Sequence, residues 1–276
     1  MTKELQNLVS LLKSPIRENK DLGIILAQNY NKELKEHFGY EIELFLFLRM
    51  NLEWNSEIPI HKIEKIKIEK SILTSVPTHI FLLENLTWLS FVSVQFKIFP
   101  TEILQLPHLK TLCLSNSEIK VLPSKIRKLQ ELEILNIGVN KLRHLPKEIG
   151  DLKQLCILTL GYNQLKSLPT EIGDLQKLIH LVLNNNKLKS LPKEIGNLQR
   201  LTQLELNDNQ LKSLPIEIGN LQCLKYLDLR NNQLQSLPTE LAQIKTLEKI
   251  LIEGNPKNII IPNELLHIID IGNGLV

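Results

Sequence analysis

Residues 155–177 read LCILTLGYNQLKSLPTEIGDLQK, and residues 178–200 read LIHLVLNNNKLKSLPKEIGNLQR. Residues 201–223 (LTQLELNDNQLKSLPIEIGNLQC) and 224–246 (LKYLDLRNNQLQSLPTELAQIKT) run through the same pattern twice more. Outward from these copies, one proline per unit keeps the count: Pro77, Pro100, Pro123, Pro146, Pro169, Pro192, Pro215 and Pro238 stand 23 residues apart. A fixed period in the twenties is the mark of a solenoid. Such arrays grow by adding units rather than by enlarging one core, and they present long surfaces to other molecules.

Each position of the unit has a physical reason. In Leu158-Thr159-Leu160, residues two apart share a face of a strand, so the leucines point in and the threonine out. Units then pair as parallel strands about 4.8 Å apart. Where the strand must turn stands an asparagine: Asn140, Asn163, Asn186, Asn209, Asn232 and Asn255. An amide carries donors and an acceptor, so a stacked column of them can satisfy turn backbone internally; these residues read as structural. Proline suits the next bend because its φ is fixed and it needs no donor. Glu148, Glu171, Glu194, Glu217 and Glu240 fall where a short helical turn would begin, complementing its dipole. Gly150, Gly173, Gly196 and Gly219 keep that turn short and tight.

The pattern L-x-x-L-x-L-x-x-N-x-L-x-x-L-P-x-x-I-x-x-L-x-x resembles the leucine-rich repeat family, in the 23-residue form common in bacterial proteins and in plant intracellular relatives. The resemblance covers about three-quarters of the chain. It implies an α/β solenoid with a curved parallel sheet on the concave side and short helices or turns on the convex side. It also implies a non-enzymatic function, binding a protein partner through the concave face. A bacterial effector or surface protein that binds a host ligand is the alternative the family permits; a ligand-binding or catalytic role would need a pocket the sequence does not indicate.

The array is least regular at its start. Ser117 and Val94 take the asparagine place in the units from Leu109 and Leu86, so the column is expected to begin weakly. Ile63, Ile66, Ile68 and Leu73 still fit, with Ser71 at the turn, which gives about nine units over 61–255. After Asn255 the register slips: Pro262 stands 24 residues beyond Pro238. Terminal units face water on one side and depart from the consensus. Residues 256–276 accordingly read as a C-terminal cap with a short helix from Asn263 to Ile269. Residues 1–60 carry no 23-residue period; Leu5, Leu8, Val9 and Leu12 have helical spacing, Ser14-Pro15 starts a second helix, and the segment reads as a helical N-terminal cap.

The outward rows of the strands are what the scaffold leaves variable. One row runs through Trp88, Thr111, Ile134, Ile157, His180, Gln203 and Tyr226, and the next through Val182, Glu205 and Asp228. Composition drifts from lysine (Lys65, Lys67, Lys70) through an apolar middle to an acidic end. An apolar centre with polar flanks is how a protein-binding patch is built. The expected partner-binding residues are Trp88, Ile134, Ile157, Tyr162, His180, Val182, Glu205, Asp208, Tyr226, Asp228 and Arg230. A second row, Lys97, Lys120, Arg143, Lys166, Lys189 and Lys212, reads as a solvated basic ridge.

Other classes find little support. The net charge is only +3 and no basic stripe stands out, so nucleic acid is not an expected partner. MTKELQNLVSLLKSPIRENK lacks the apolar core of a signal peptide, and the apolar run at Leu44–Leu48 is too short for a bilayer. The expectation is a cytoplasmic protein without membrane insertion, with export by a signal-independent route left open. Cys113, Cys156 and Cys223 have neither metal nor redox spacing and read as small apolar strand residues. Cys113 and His180 lie three units apart, roughly 14 Å at strand spacing, too far for a nucleophile and its base. Glu205 and Asp228 sit in adjacent units, close enough for one to raise the other's pKa. No enzyme chemistry, metal or cofactor is expected.

Overall fold

A computed structural model describes residues 62–71, 73–76 and 78–270. The helical N-terminal cap and Pro77 lie outside these residues. The described residues build one sheet whose strands follow in chain order. They are β1 (Lys65–Glu69), β2 (Trp88–Val92), β3 (Thr111–Ser115), β4 (Ile134–Asn136), β5 (Ile157–Thr159), β6 (His180–Val182), β7 (Gln203–Glu205), β8 (Tyr226–Asp228), β9 (Lys249–Leu251) and β10 (Ile269–Asp270). All pairs are parallel, and through β9 each residue lies opposite the one 23 positions on, as in Ile134↔Ile157 and Leu204↔Leu227.

The inward leucines close one continuous core. In the unit from Leu155 to Lys177, Leu155, Leu158, Leu160, Leu165, Ile172 and Leu175 are buried completely. Each such side chain is worth about 1.5–3 kcal/mol over its exposed state. The prolines stand where a five-residue 3-10 turn starts: Pro169 has φ −68° and precedes Thr170–Asp174. Its carbonyl accepts the Ile172 N–H at 3.1 Å, closing the turn. Turns of successive units stack so tightly that a Cβ on Gly173 would collide with the Glu194 carbonyl. Glycine is required there by close approach.

The asparagines differ in detail from the expected column. They do not bond one another. Each bridges backbone instead: Asn186 Oδ1 accepts the Leu165 N–H at 3.0 Å, and its Nδ2 donates to the carbonyls of Leu160 and Leu183, both at 3.0 Å. The same set recurs at Asn163, Asn209 and Asn232. Upstream, Ser117 Oγ donates to the Val94 carbonyl at 3.0 Å, and at Val94 the amide is replaced by apolar packing. Phe91 and Phe96 meet edge to face beside it, with centroids 5.2 Å apart.

The C-terminal end corrects one expectation. Residues 263–269 are not a helix. Asn263–Leu265 make a single 3-10 turn, and the chain then adds β10 to the sheet, with Ile269 opposite Ile250. The offset from β9 is 19 residues, not 23, because the segment lacks a full unit's length. The cysteines are also placed differently from the strand reading. Cys113 lies in β3, whereas Cys156 precedes β5 and Cys223 is exposed on a turn; all three are free thiols.

Candidate partner-binding face

The face of the sheet opposite the core carries the outward rows. Ile134 and Ile157 stand side by side on β4 and β5, half-buried, and Val182 follows Thr159 in the adjoining row. His180 continues the first row on β6, and Tyr226 stands on β8 beyond Gln203. Trp88 is set apart: Thr111 separates it from Ile134, so it lies two strands from the apolar pair. The structure thus gathers Ile134, Ile157 and Val182 and leaves Trp88 outside that group.

Beyond the strands, one residue per unit takes the left-handed backbone region. The series is Lys70, Ser93, Asn116, Val139, Tyr162, Asn185, Asp208 and Asn231, with φ between 50° and 58°, and it ends at Gly254 with φ 76°. Asparagine, aspartate and glycine tolerate this region; a β-branched or bulky residue there is an outlier costing about 1–3 kcal/mol. Val139 and Tyr162 are such residues, adjacent in the stack, and they are 46% and 57% exposed. Sequence reasoning singled out Tyr162 as an apolar contact but missed the backbone strain. The signal was available: Asn116, Asn185, Asp208, Asn231 and Gly254 in that row mark a left-handed position.

The acidic end is reshaped by internal bonds. Asp228 does not face a partner freely: it is 2% exposed and holds Arg230 through Nε–Oδ1 at 2.9 Å and Nη2–Oδ2 at 2.6 Å. Two residues apart on one strand face, they form a forked pair within a single unit. Asp208 is likewise engaged, accepting from Asn207 Nδ2 at 2.7 Å and Asn231 Nδ2 at 2.8 Å. It ties two loops together. Glu205 is the exception. No hydrogen bond or ion pair among the described residues holds its carboxylate, and burial, then the neighbouring Asp228, pushes its pKa above the ordinary carboxylate range. The same pair of causes raises the Tyr226 phenol.

Cys113 and His180 lie on β3 and β6 with two strands between them, so the nucleophile–base pairing does not arise. Among the described residues, no three histidine, cysteine or acidic side chains converge as a metal site, and no helix is long and apolar enough to cross a membrane. The residues of the basic row, from Lys97 to Lys212, are all exposed. Lys141, ahead of Lys97 and Lys120, lowers the pKa of Glu118, which bonds Lys141 Nζ at 2.7 Å.

Comparison with known proteins agrees with this geometry. The family described as "Leucine-rich repeat region" matches residues 135–209, and that described as "Leucine rich repeat" matches residues 199–256. A leucine-rich-repeat protein of Leptospira interrogans aligns at 34% identity and TM-score 0.66, over 72% of this chain and 60% of the other. The ectodomain of the Arabidopsis thaliana receptor kinase GASSHO1/SCHENGEN3, solved with CASPARIAN STRIP INTEGRITY FACTOR 2, aligns at 23% identity and TM-score 0.63. That alignment takes in 80% of this chain and 33% of the receptor. A TDR receptor aligns at 24% identity and TM-score 0.59, over 73% and 43%. The chain therefore spans less than two thirds of each of these proteins. No curated protein matches it.

Proposed function

Since this chain is a leucine-rich-repeat protein, we propose that it binds another protein through the concave face of its sheet. The observation that carries the reading is the adjacency of Ile134, Ile157 and Val182 on three neighbouring strands. Protein-binding patches have an apolar centre within a polar rim. Here lysines stand on β1 to one side and Glu205, Tyr226 and Arg230 to the other. Trp88, His180 and Asp208 belong to the rim, and Asp228 acts through the position it gives Arg230. Proteins of this fold serve as interaction modules rather than catalysts, which supports a non-enzymatic role. Likeness to the Leptospira interrogans protein supports a bacterial setting.

The test compares the intact chain with a variant carrying Ile134→Glu, Ile157→Glu and Val182→Glu, both immobilised for affinity capture. Proteins retained by the native chain and lost from the variant, while circular dichroism stays unchanged, support the reading. Identical retention by both folded proteins overturns it.

A further inference from the structure

The three most exposed large apolar side chains among the described residues fall in one row. They are Ile98 (77%), Ile260 (70%) and Val121 (69%). Ile98 and Val121 hold the same place in successive units, just ahead of Phe99-Pro100 and Leu122-Pro123. Ile260 reaches that place across the one-residue slip, since Ser236 pairs with it in a parallel bridge. Between the two ends the row carries His144 and then small hydroxyls at Ser167, Ser190, Ser213 and Ser236. Folding does not ask for isoleucine or valine here, where serine serves in the middle units.

A lysine or arginine precedes each of these residues from Ile98 to Ser213, which makes up the basic row from Lys97 to Lys212. Each outward pair stands between two buried anchors: Ile119 and Leu122 flank Lys120 and Val121, and Leu142 and Leu145 flank Arg143 and His144. Both members of a pair therefore look out of the same flank, between the sheet and the 3-10 turns. Units are tied along it by the Glu118 N–H on the Phe96 carbonyl and the Lys141 N–H on the Ile119 carbonyl, both 2.9 Å. The cations thus follow one another at about 4.8 Å, a ridge about 24 Å long. Other lysines pair with a carboxylate of the neighbouring unit, as in Lys110–Glu133, Lys153–Asp174 and Lys225–Glu248. Among the described residues no ridge cation has such a pair, with the 3-10 turn glutamates or any other acid, and Glu118 is held by Lys141.

We propose that this flank docks the protein on an anionic bilayer surface, with its cations on lipid phosphates and Ile98, Val121 and Ile260 dipping among the headgroups. An array that bends toward its sheet keeps its sides flat, so one plane can meet every unit of the flank at once. Apolar burial and attraction to anionic lipid add in such binding. Each cation near the surface strengthens it about fivefold. Nucleic acid fits less well, because neither row carries an aromatic side chain on which bases could stack. A hydrated polyanion would also leave the isoleucines and the valine in water, with no gain from burying them. Docking of this kind is peripheral and leaves the concave face open to a partner.

Flotation of the intact chain with lipid vesicles at about 0.1 M salt tests this. Vesicles of phosphatidylcholine and phosphatidylglycerol in equal parts should carry the protein up the gradient; vesicles of phosphatidylcholine alone should not. At about 1 M salt, where the screening length falls to about 3 Å, most of the binding should be lost. Lys97→Gln, Lys120→Gln and Arg143→Gln together should lower partitioning about a hundredfold. Ile98→Ser, Val121→Ser and Ile260→Ser together should lower it about tenfold with circular dichroism unchanged, since all three are exposed. Ser190→Leu adds an apolar side chain to the row and should raise partitioning about fivefold, a gain that no folding defect can imitate. Failure to float with the mixed vesicles overturns the proposal. So does partitioning that both the serine variant and Ser190→Leu leave unchanged. Retention on immobilised heparin or duplex DNA without flotation would make the ridge a site for soluble polyanions and overturn it as well.

Discussion

The first units and the later ones keep the same 23-residue period by different physics. From Leu132 onward, each unit turns around a buried asparagine that bonds the backbone of the unit before it. At Val94 no such amide exists, and Phe91 packs edge to face on Phe96 in its stead. Ser117, between the two regimes, makes a single bond to the Val94 carbonyl. A hydrogen-bonded turn specifies direction as well as burial, because its donors and acceptors must meet in register. Apolar packing specifies volume alone. The periodic half can therefore be extended by near-identical copies, whereas the first units are individually fitted.

Substitutions separate these two modes. The largest expected loss is Phe91→Ala, about 3–5 kcal/mol in urea unfolding, from the cavity left in the aromatic plug. Asn186→Ala comes next at about 3 kcal/mol, since the Leu165 N–H and the Leu160 and Leu183 carbonyls lose their partner in the interior. Ser117→Ala should cost only about 1 kcal/mol, one bond from a half-buried hydroxyl. Were Asn186→Ala no more costly than Ser117→Ala, the distinction between the two halves would fail. The smallest effect has the opposite sign. Because burial raises the Glu205 pKa, its carboxylate costs stability at neutral pH, and that cost fades as pH falls through the folded pKa toward the ordinary 4.5. Glu205→Gln should thus unfold at slightly higher temperature than the native chain at pH 7 and at the same temperature below pH 4.5.

Much of this was legible in the chain. The prolines located the 3-10 turns, the L-x-L spacing gave the inward rows, and Val94 and Ser117 marked where the asparagine ladder weakens. What escaped was whatever depends on partners two residues or one unit away. Asp228 reads as a surface acid until Arg230, on the same strand face, is seen to claim it. Asp208 looks available until Asn207 and Asn231 close on it. The left-handed row was hidden because Val139 and Tyr162 broke the asparagine pattern that would have announced it. The last strand was missed since Ile269 joins at an offset of 19, outside the period that had organised everything before it.

The identical register of one unit on the next has a consequence for how such a chain changes over generations. Residues 155–246 are near-verbatim copies, and DNA encoding near-verbatim copies is prone to misaligned recombination that gains or loses a whole copy. The backbone bonds in this stretch run either within a unit or to the neighbouring one, so such an event would leave the bonding intact. Inserting one copy between Val182 and Glu205 would move an apolar bank and a carboxylate apart by about 4.8 Å. The array behaves as a ruler whose graduations are added or removed without rebuilding it, and the spacing it measures is open to selection.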